Sequence, residues 1–343
     1  MLMLDENIFN DRCIVVKSDD PNFFYLSGID EGVYSGSFLL VKKFKNKIEK
    51  LILTSSLYEK QLKKFNIPVI VAKRNEINQI LREKIKEKIG LNYNNISKHD
   101  FDFFIKFGKP VDISSALEEA RSIKTNAEIK KIEIACKLTS KVMGEIPDLI
   151  KIGEKELSIA AEIDTLIREK NCVPAFETIV ASGINSSFPH HTPGEKRIKR
   201  NEFVLVDFGC SYRKYCADMS RTFFVGSPSR EQLDVYNTVL EAQIKAISMI
   251  KSGSRTNDIF NVSNKILEKY QPLIHSLGHG VGLSVHESPN ISLNENTLKH
   301  GMITTIEPAT YLDNFGVRIE DVFLIEKNKC KQLTNFEKEL ICV

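Results

Sequence analysis

Four carboxylates stand inside runs that otherwise read as buried strands, and no other feature restricts the fold as much. Asp207 closes Phe203-Val204-Leu205-Val206, and Asp218 lies in Ala217-Asp218-Met219-Ser220-Arg221-Thr222-Phe223. Glu307 follows Thr304-Thr305-Ile306, and Glu320 lies in Gly316-Val317-Arg318-Ile319-Glu320-Asp321-Val322. Runs of Val, Ile, Leu and Phe are driven into a core and take their acids with them. A buried carboxylate without a partner is costly, so positive charge has to converge on these positions, either as basic side chains or as a cation. Between the two pairs of acids, residues 274–287 set His275, His279 and His286 among Gly278, Gly280 and Gly282.

The strand assignments predict which of these side chains meet. Side chains alternate faces along a strand, so Cys216, Asp218, Ser220 and Thr222 are expected on one face, and Arg318 and Glu320 on one face of another strand. Met219, Phe223, Val317 and Ile319 form the opposite, apolar faces. Such one-sided polarity suits a cleft. Asp207, Asp218, Glu307 and Glu320 contribute four negative charges, which two divalent cations would balance. Four carboxylates and one imidazole are an oxygen-rich set, suited to manganese and other hard or borderline ions rather than to a structural thiolate zinc. A pair of such ions activates water and polarises a carbonyl, which is the chemistry of hydrolysis.

Each residue also has a plainer reading. A lone strand acid is usually answered by Lys or Arg, and Arg318 beside Glu320 reads as a salt bridge. The glycines around His279 lack the Lys of a phosphate loop, and His286-Glu287 lacks the second His of a helical zinc motif, with Pro289 breaking the helix it needs. Cys210 and Cys216 read as small core residues.

Composition narrows the setting. The 48 basic and 45 acidic residues nearly cancel, and the lysines at 42–50 and 82–88 alternate with Glu and apolar residues, so no nucleic-acid surface is expected. The seven cysteines are scattered without a Cys-x-x-Cys pair, as in a reducing compartment. The first seven residues lack a basic leader region, and no apolar run approaches the roughly 18 residues of a membrane span. A cytoplasmic protein without membrane contact is expected.

Two domains are expected in the 343 residues, 1–118 and 119–343. The first alternates strands (14–17, 37–41, 51–54, 69–72) with helices (57–65, 77–89) in a small α/β pattern. In the second, Thr125-Asn126-Ala127-Glu128 is a capping box. It opens a helix with Ile129, Ile132, Cys136, Thr139, Val142, Met143 and Ile146 on one stripe. A second helix turns Leu157, Ala160, Ala161, Ile163 and Ile167 inward. Ser229 caps a third that runs towards Gly253, and a fourth spans 258–270. Strands are expected at 178–181, 203–207, 215–225, 302–307 and 317–325, with no clear internal repeat.

Together these residues resemble the pita-bread metallopeptidases, the group of aminopeptidase P, prolidase and methionine aminopeptidase. That pattern is an Asp, a second Asp eleven positions on, a His in Gly-His-Gly, then two Glu; Asp207, Asp218, His279, Glu307 and Glu320 fill it in order. Pro189-His190-His191-Thr192-Pro193 resembles the element carrying a substrate-binding histidine, with His190 at the matching position, and His286 resembles the second such histidine. His275 and Arg318 match positions of the proline-specific branch. The resemblance implies an α+β catalytic domain of two αββ-type halves, with an antiparallel sheet backed by helices. It implies a creatinase-type α/β domain before it, to which Phe23-Phe24-Tyr25-Leu26-Ser27-Gly28 is similar.

The implied activity is a dinuclear Xaa-Pro aminopeptidase using two divalent ions, Mn2+ first, with Co2+ or Zn2+ as alternatives. Asp207, Asp218, His279, Glu307 and Glu320 would hold the metals, and Glu307 would also act as base. His190, His286 and Arg318 would assist catalysis, and those three with His275 would bind peptides bearing proline in second position. A homodimer is implied as well. Alternatives are a prolidase restricted to dipeptides, a methionine aminopeptidase, which usually lacks the first domain, and a non-catalytic pita-bread binding module, which the complete ligand set disfavours. His275 and the His190-His191 pair incline the reading to the aminopeptidase.

Overall fold

The computed structural model describes residues 6–45, 47–73, 75–85 and 88–343. Residues 1–5 of the stretch read above for a leader, and positions 86 and 87 of the expected helix 77–89, lie outside them. The chain divides into two compact units, Met1–Arg121 and Ser122–Val343. Among the described residues no helix is long and apolar enough to cross a membrane.

The first unit is a six-stranded sheet with helices. Its strands are β1 (Arg12–Lys17), β2 (Phe38–Phe44), β3 (Lys47–Thr54), β4 (Val69–Val71), β5 (Lys88–Leu91) and β6 (Lys109–Asp112), in the order β4-β3-β2-β1-β5-β6. One expectation fails here. The helix expected over 77–89 ends at Lys84, and β5 follows, parallel to β1 and β6. Ile77, Ile80, Leu81, Ile85 and Ile89 keep helical spacing across the break, but Ile89 and Leu91 are fully buried as strand residues. Sheet pairing overrides the local pattern.

The second unit repeats itself with an offset near 100 residues. In its first half the helices Asn126–Met143 and Glu156–Glu169 precede β8 (Ile179–Ser182), β9 (Glu202–Phe208) and β12 (Met219–Val225); between these lie the short strands β7 (Val173–Pro174), β10 (Cys210–Tyr212) and β11 (Tyr215–Cys216). In its second half the helices Arg230–Ser248 and Thr256–Leu267 precede β13 (Gly278–Gly280), β15 (Ile303–Ile306) and β18 (Asp321–Ile325). With them run β14 (Glu287–Ile291), β16 (Ala309–Tyr311), β17 (Gly316–Arg318) and β19 (Cys330–Gln332). Strand orders are β8-β9-β12 and β13-β15-β18, all antiparallel. The correspondence reaches single bonds. Gly153 N donates to Ile198 O and Gly253 N to Leu298 O, while Ile198 N donates to Glu154 O and Leu298 N to Ser254 O. Both glycines have positive φ, 93° and 92°. The sequence reading found no repeat because only the backbone frame and a few apolar positions, such as Ile159 and Ile259, are shared.

Each half buries its strands against its own helices. Val204, Val206, Phe208 and Phe223 pack with Val142, Met143, Ile163 and Ile167, and Ile306, Val317 and Phe323 with Val239, Ala242 and Ile259. Leu205 and Asp207 alternate with the helix-facing residues of β9 and so point to its other face. Both capping boxes form, at Thr125 and at Ser229. Three boundaries differ from expectation. The third helix stops at Ser248, and Leu157 is 50% exposed, its place inward taken by Ile159. The strands expected over 215–225 and 317–325 each break, at 217–218 and at 319–320, so that Asp218 and Glu320 leave regular strand where they face each other's half.

Candidate metal centre

The repeat brings the acids together in equivalent pairs. Asp207 is the next-to-last residue of β9, Glu307 follows β15 one hundred positions on, and Asp218 and Glu320 precede β12 and β18. The halves are joined through these segments, since Glu320 N donates to Ser220 O and Thr222 Oγ1 to Arg318 O. Asp207, Asp218, His279 and Glu320 are buried, at 7%, 4%, 8% and 1% exposure.

His279 sits at the centre. Its backbone passes between β14 and β15 so closely that only glycine fits on either side: a Cβ on Gly278 would lie 2.0 Å from Thr305 O, and one on Gly280 2.2 Å from Ser288 O. Nδ1 lies 3.0 Å from Val285 O and donates to it, so once the ring is neutral the lone pair falls on Nε2. That nitrogen lies 3.3 Å from Glu307 Oε1, 3.7 Å from Asp218 Oδ2 and 3.9 Å from Glu320 Oε1. Donor atoms of Asp218, His279 and Glu320 all lie within 4.8 Å of one another. A histidine held at Nδ1 by a carbonyl, with Nε2 turned on carboxylates, has the arrangement of a metal ligand.

The buried acids divide into two kinds. Asp321, 0% exposed, is fully answered: Arg221 at 2.9 Å, Lys338 at 3.0 Å, Thr334 and Gln243 all reach it. Its neighbour Glu320 accepts from Ser220 Oγ on Oε2, yet Oε1 is buried without a hydrogen bond, and so are Oδ1 of Asp218 and Oδ1 of Asp207. Asp207 has half an answer, because Arg318 Nη2 meets Oδ2 at 2.5 Å. Orphaned buried oxygens of this number are unusual and call for an ion.

Electrostatics agree. Burial first, then the charges of Glu320, Asp207 and Glu307, hold the Asp218 carboxyl well above the ordinary range. Burial, Glu307 and Asp207 do the same to Glu320. At Glu307 burial pushes upward, but the hydrogen bond and charge of His279 outweigh it and bring the group down to about 2. His279 is correspondingly raised to about 9, against burial, by Glu307. Without cations the site lowers its negative charge by keeping some of these acids protonated.

The remaining residues form a wall. Arg318, 3% exposed, spends its guanidinium internally: Nε on Ser220 Oγ, Nη1 on Tyr311 Oη and Pro189 O, Nη2 on Asp207. It does not pair with Glu320, as the plain reading had it; the two share Ser220. His275 is also taken up, Nδ1 donating to Ser276 O and Nε2 lying 3.1 Å from Tyr311 Oη. His190 and His286 are exposed, and the His286 ring lies 4.2 Å from that of His279. Ser220 was placed in the sequence on the face of Asp218, but Tyr311 was missed; a tyrosine in Ala-Thr-Tyr has no pattern to single it out, and only the fold brings it to Arg318.

Residues 130–327, the span holding all five acid and histidine positions, match metallopeptidase family M24. The chain belongs to that family. M24 proteins are metal-dependent, so this protein is an enzyme of the metallopeptidase class, as the resemblance implied. It is similar to the Xaa-Pro dipeptidases of Pyrococcus horikoshii, 37% identical over 98% of this chain and 96% of that one, and of Pyrococcus furiosus, 36% identical over 98% and 97%. Among solved structures, the X-Pro aminopeptidase of Thermotoga maritima is 29% identical with a TM-score of 0.88, covering 98% of this chain and 99% of that one. The prolidase of Pyrococcus furiosus is 34% identical with a TM-score of 0.85, covering 95% and 96%. The expected pita-bread fold is the fold of the chain.

Proposed function

We propose that the protein is an exopeptidase that hydrolyses the bond between an N-terminal residue and a following proline, with Asp207, Asp218, His279, Glu307 and Glu320 holding two divalent ions. The observation that carries this reading is the contrast between Asp321, saturated by its own cations, and Asp207, Asp218 and Glu320, each with an unpartnered buried oxygen near His279. Arg318 leaves three of the four negative charges unbalanced, which one divalent ion does not neutralise. The oxygen-rich donors favour manganese, with cobalt or zinc as alternatives. Bound ions would polarise the scissile carbonyl and acidify a water molecule.

The chain's own groups complete the chemistry. Glu307 is ionised and lies beside His279, so its carboxylate accepts the proton of the attacking water. His190 and His286 stand exposed at the rim, where their ring N–H groups can bind the substrate carbonyl and the oxyanion that develops from it. Arg318 acts by charge and by holding Asp207 and Pro189. Proline contributes a tertiary amide without an N–H, which suits a site built for that bond.

Between the two forms we favour the dipeptidase. The two Pyrococcus relatives, aligned over nearly the whole chain, are Xaa-Pro dipeptidases. His275, one ground for the aminopeptidase, has both ring nitrogens engaged within the protein. The Thermotoga structure supports the aminopeptidase as second reading. The test is an assay of the manganese-loaded protein on Xaa-Pro dipeptides, on longer Xaa-Pro peptides and on Met-Ala peptides. Cleavage of dipeptides alone is expected. Cleavage of longer Xaa-Pro peptides selects the second reading, and cleavage of Met-Ala alone, or of nothing, overturns both.

A further inference from the structure

We propose that Glu156, acting through His191, is the positioning residue for His190, an inference that rests on the hydrolysis proposed above. Glu156 is 0% exposed in the first turn of the helix Glu156–Glu169. Its carboxylate gathers the end of β8 and two points of the segment that follows. Ser182 donates to Oε1 from both its backbone N and its Oγ at 2.7 Å, Asn185 Nδ2 reaches both oxygens at 3.0 Å, and His191 Nε2 lies 2.9 Å from Oε2. Burial alone would raise this carboxyl; the Ser182, His191 and Asn185 hydrogen bonds outweigh it and keep the group charged.

The repeat shows that the fold does not require a charge there. Thr256 occupies the equivalent position in the second half. Its backbone N donates to Asn296 O as that of Glu156 donates to Lys196 O, and its Oγ1 donates to Asn294 O and accepts from Asn296 N. A neutral side chain that bonds only its own loop therefore suffices to start that helix. The buried carboxylate at 156 is explained by what it reaches for, and the far end of its reach is His191.

His190 is the residue this arrangement fixes. On one side Pro189 O accepts from Arg318 Nη1 at 3.2 Å, and Arg318 is locked to Asp207 in the centre; on the other side His191 is locked to Glu156. His190 itself is exposed and lies within electrostatic reach of both His275 and His286, at the rim of the same centre. A surface loop is ordinarily mobile. Anchors on both flanking residues confine the backbone of His190, and a displacement of about 1 Å in a positioning group costs on the order of 10²-fold in rate.

The test uses the manganese-loaded full chain with an Xaa-Pro dipeptide. His191→Ala and Glu156→Gln are expected to lower kcat/KM by about 10- to 100-fold, with the metal bound per chain unchanged. His191→Gln, whose amide nitrogen can occupy the place of Nε2, is expected to recover most of the loss. The decisive readout is a double-mutant cycle: in a His190→Ala background, His191→Ala is expected to add no further loss. Equal losses with and without His190, or a His191→Ala protein at the wild-type rate, overturn the proposal. Because the His191 side chain is partly exposed, these variants remain informative if Glu156→Gln does not fold. A wild-type chain that binds manganese yet cleaves no Xaa-Pro substrate overturns the parent reading, and this inference falls with it.

Discussion

Replacing Asp218 by Asn is expected to change the sign of its effect with metal. In the metal-free chain the Asp218 carboxyl is held well above its ordinary range by burial and by Glu320, Asp207 and Glu307. The folded state therefore binds that proton more tightly than the unfolded state. Stability is fully present below the unfolded value of about 4 and is lost as pH rises through the raised folded value. Asn cannot ionise, and its amide can still donate towards Asp207, so the metal-free variant at pH 8 should melt at or above the wild type. With metal the order reverses. A divalent ion at 100 times its Kd adds about 2.7 kcal/mol. For the 222 residues of Ser122–Val343, at roughly 2–4 °C per kcal/mol, the wild type should gain about 5–11 °C. The variant should gain little. Scanning calorimetry at pH 5 and pH 8, with chelator and with manganese, measures all four combinations. An Asn variant that gains as much from manganese as the wild type, or that melts below it in chelator at pH 8, refutes the reasoning.

Three further outcomes follow from the same geometry. His279, raised to about 9 by Glu307, must lose its proton to ligate, so metal binding at pH 8 should release protons and weaken as pH falls below that value; calorimetry in buffers of different ionisation heat would contradict this by finding no release. Tyr311→Phe removes the hydroxyl shared by His275 and Arg318 and should cost about 1–3 kcal/mol of stability, read as a lower melting temperature. Gly278→Ala would set a methyl 2.0 Å from Thr305 O, so it should destabilise by about 1–3 kcal/mol or more and weaken manganese binding by displacing His279; an unchanged melting temperature and affinity would count against the close approach.

Much of the centre was legible because charge in an apolar run is a local anomaly. Asp207 and Asp218, eleven positions apart, and Gly278-His279-Gly280 announce themselves without a fold. The helices starting at Asn126 and Arg230 were legible too, since their capping boxes are written within four residues. The helix expected over 77–89 shows the opposite case: its apolar spacing is equally good for a helix, and the pairing of β5 with β1 and β6 is a distant fact.

Glu320 and Asp321 mark the boundary between the two kinds of knowledge. Residue order alone determined that Glu320 lies in an apolar stretch, that it must be buried, and that something positive has to meet it, and it gave no separate reading for Asp321 beside it. Only the tertiary structure decided that Asp321 receives Arg221 and Lys338 while Glu320 turns to the oxygens of Asp218 and the ring of His279. The reason is directional. Adjacent side chains leave the backbone on different sides, and which partners wait on each side depends on segments that residue order does not place there.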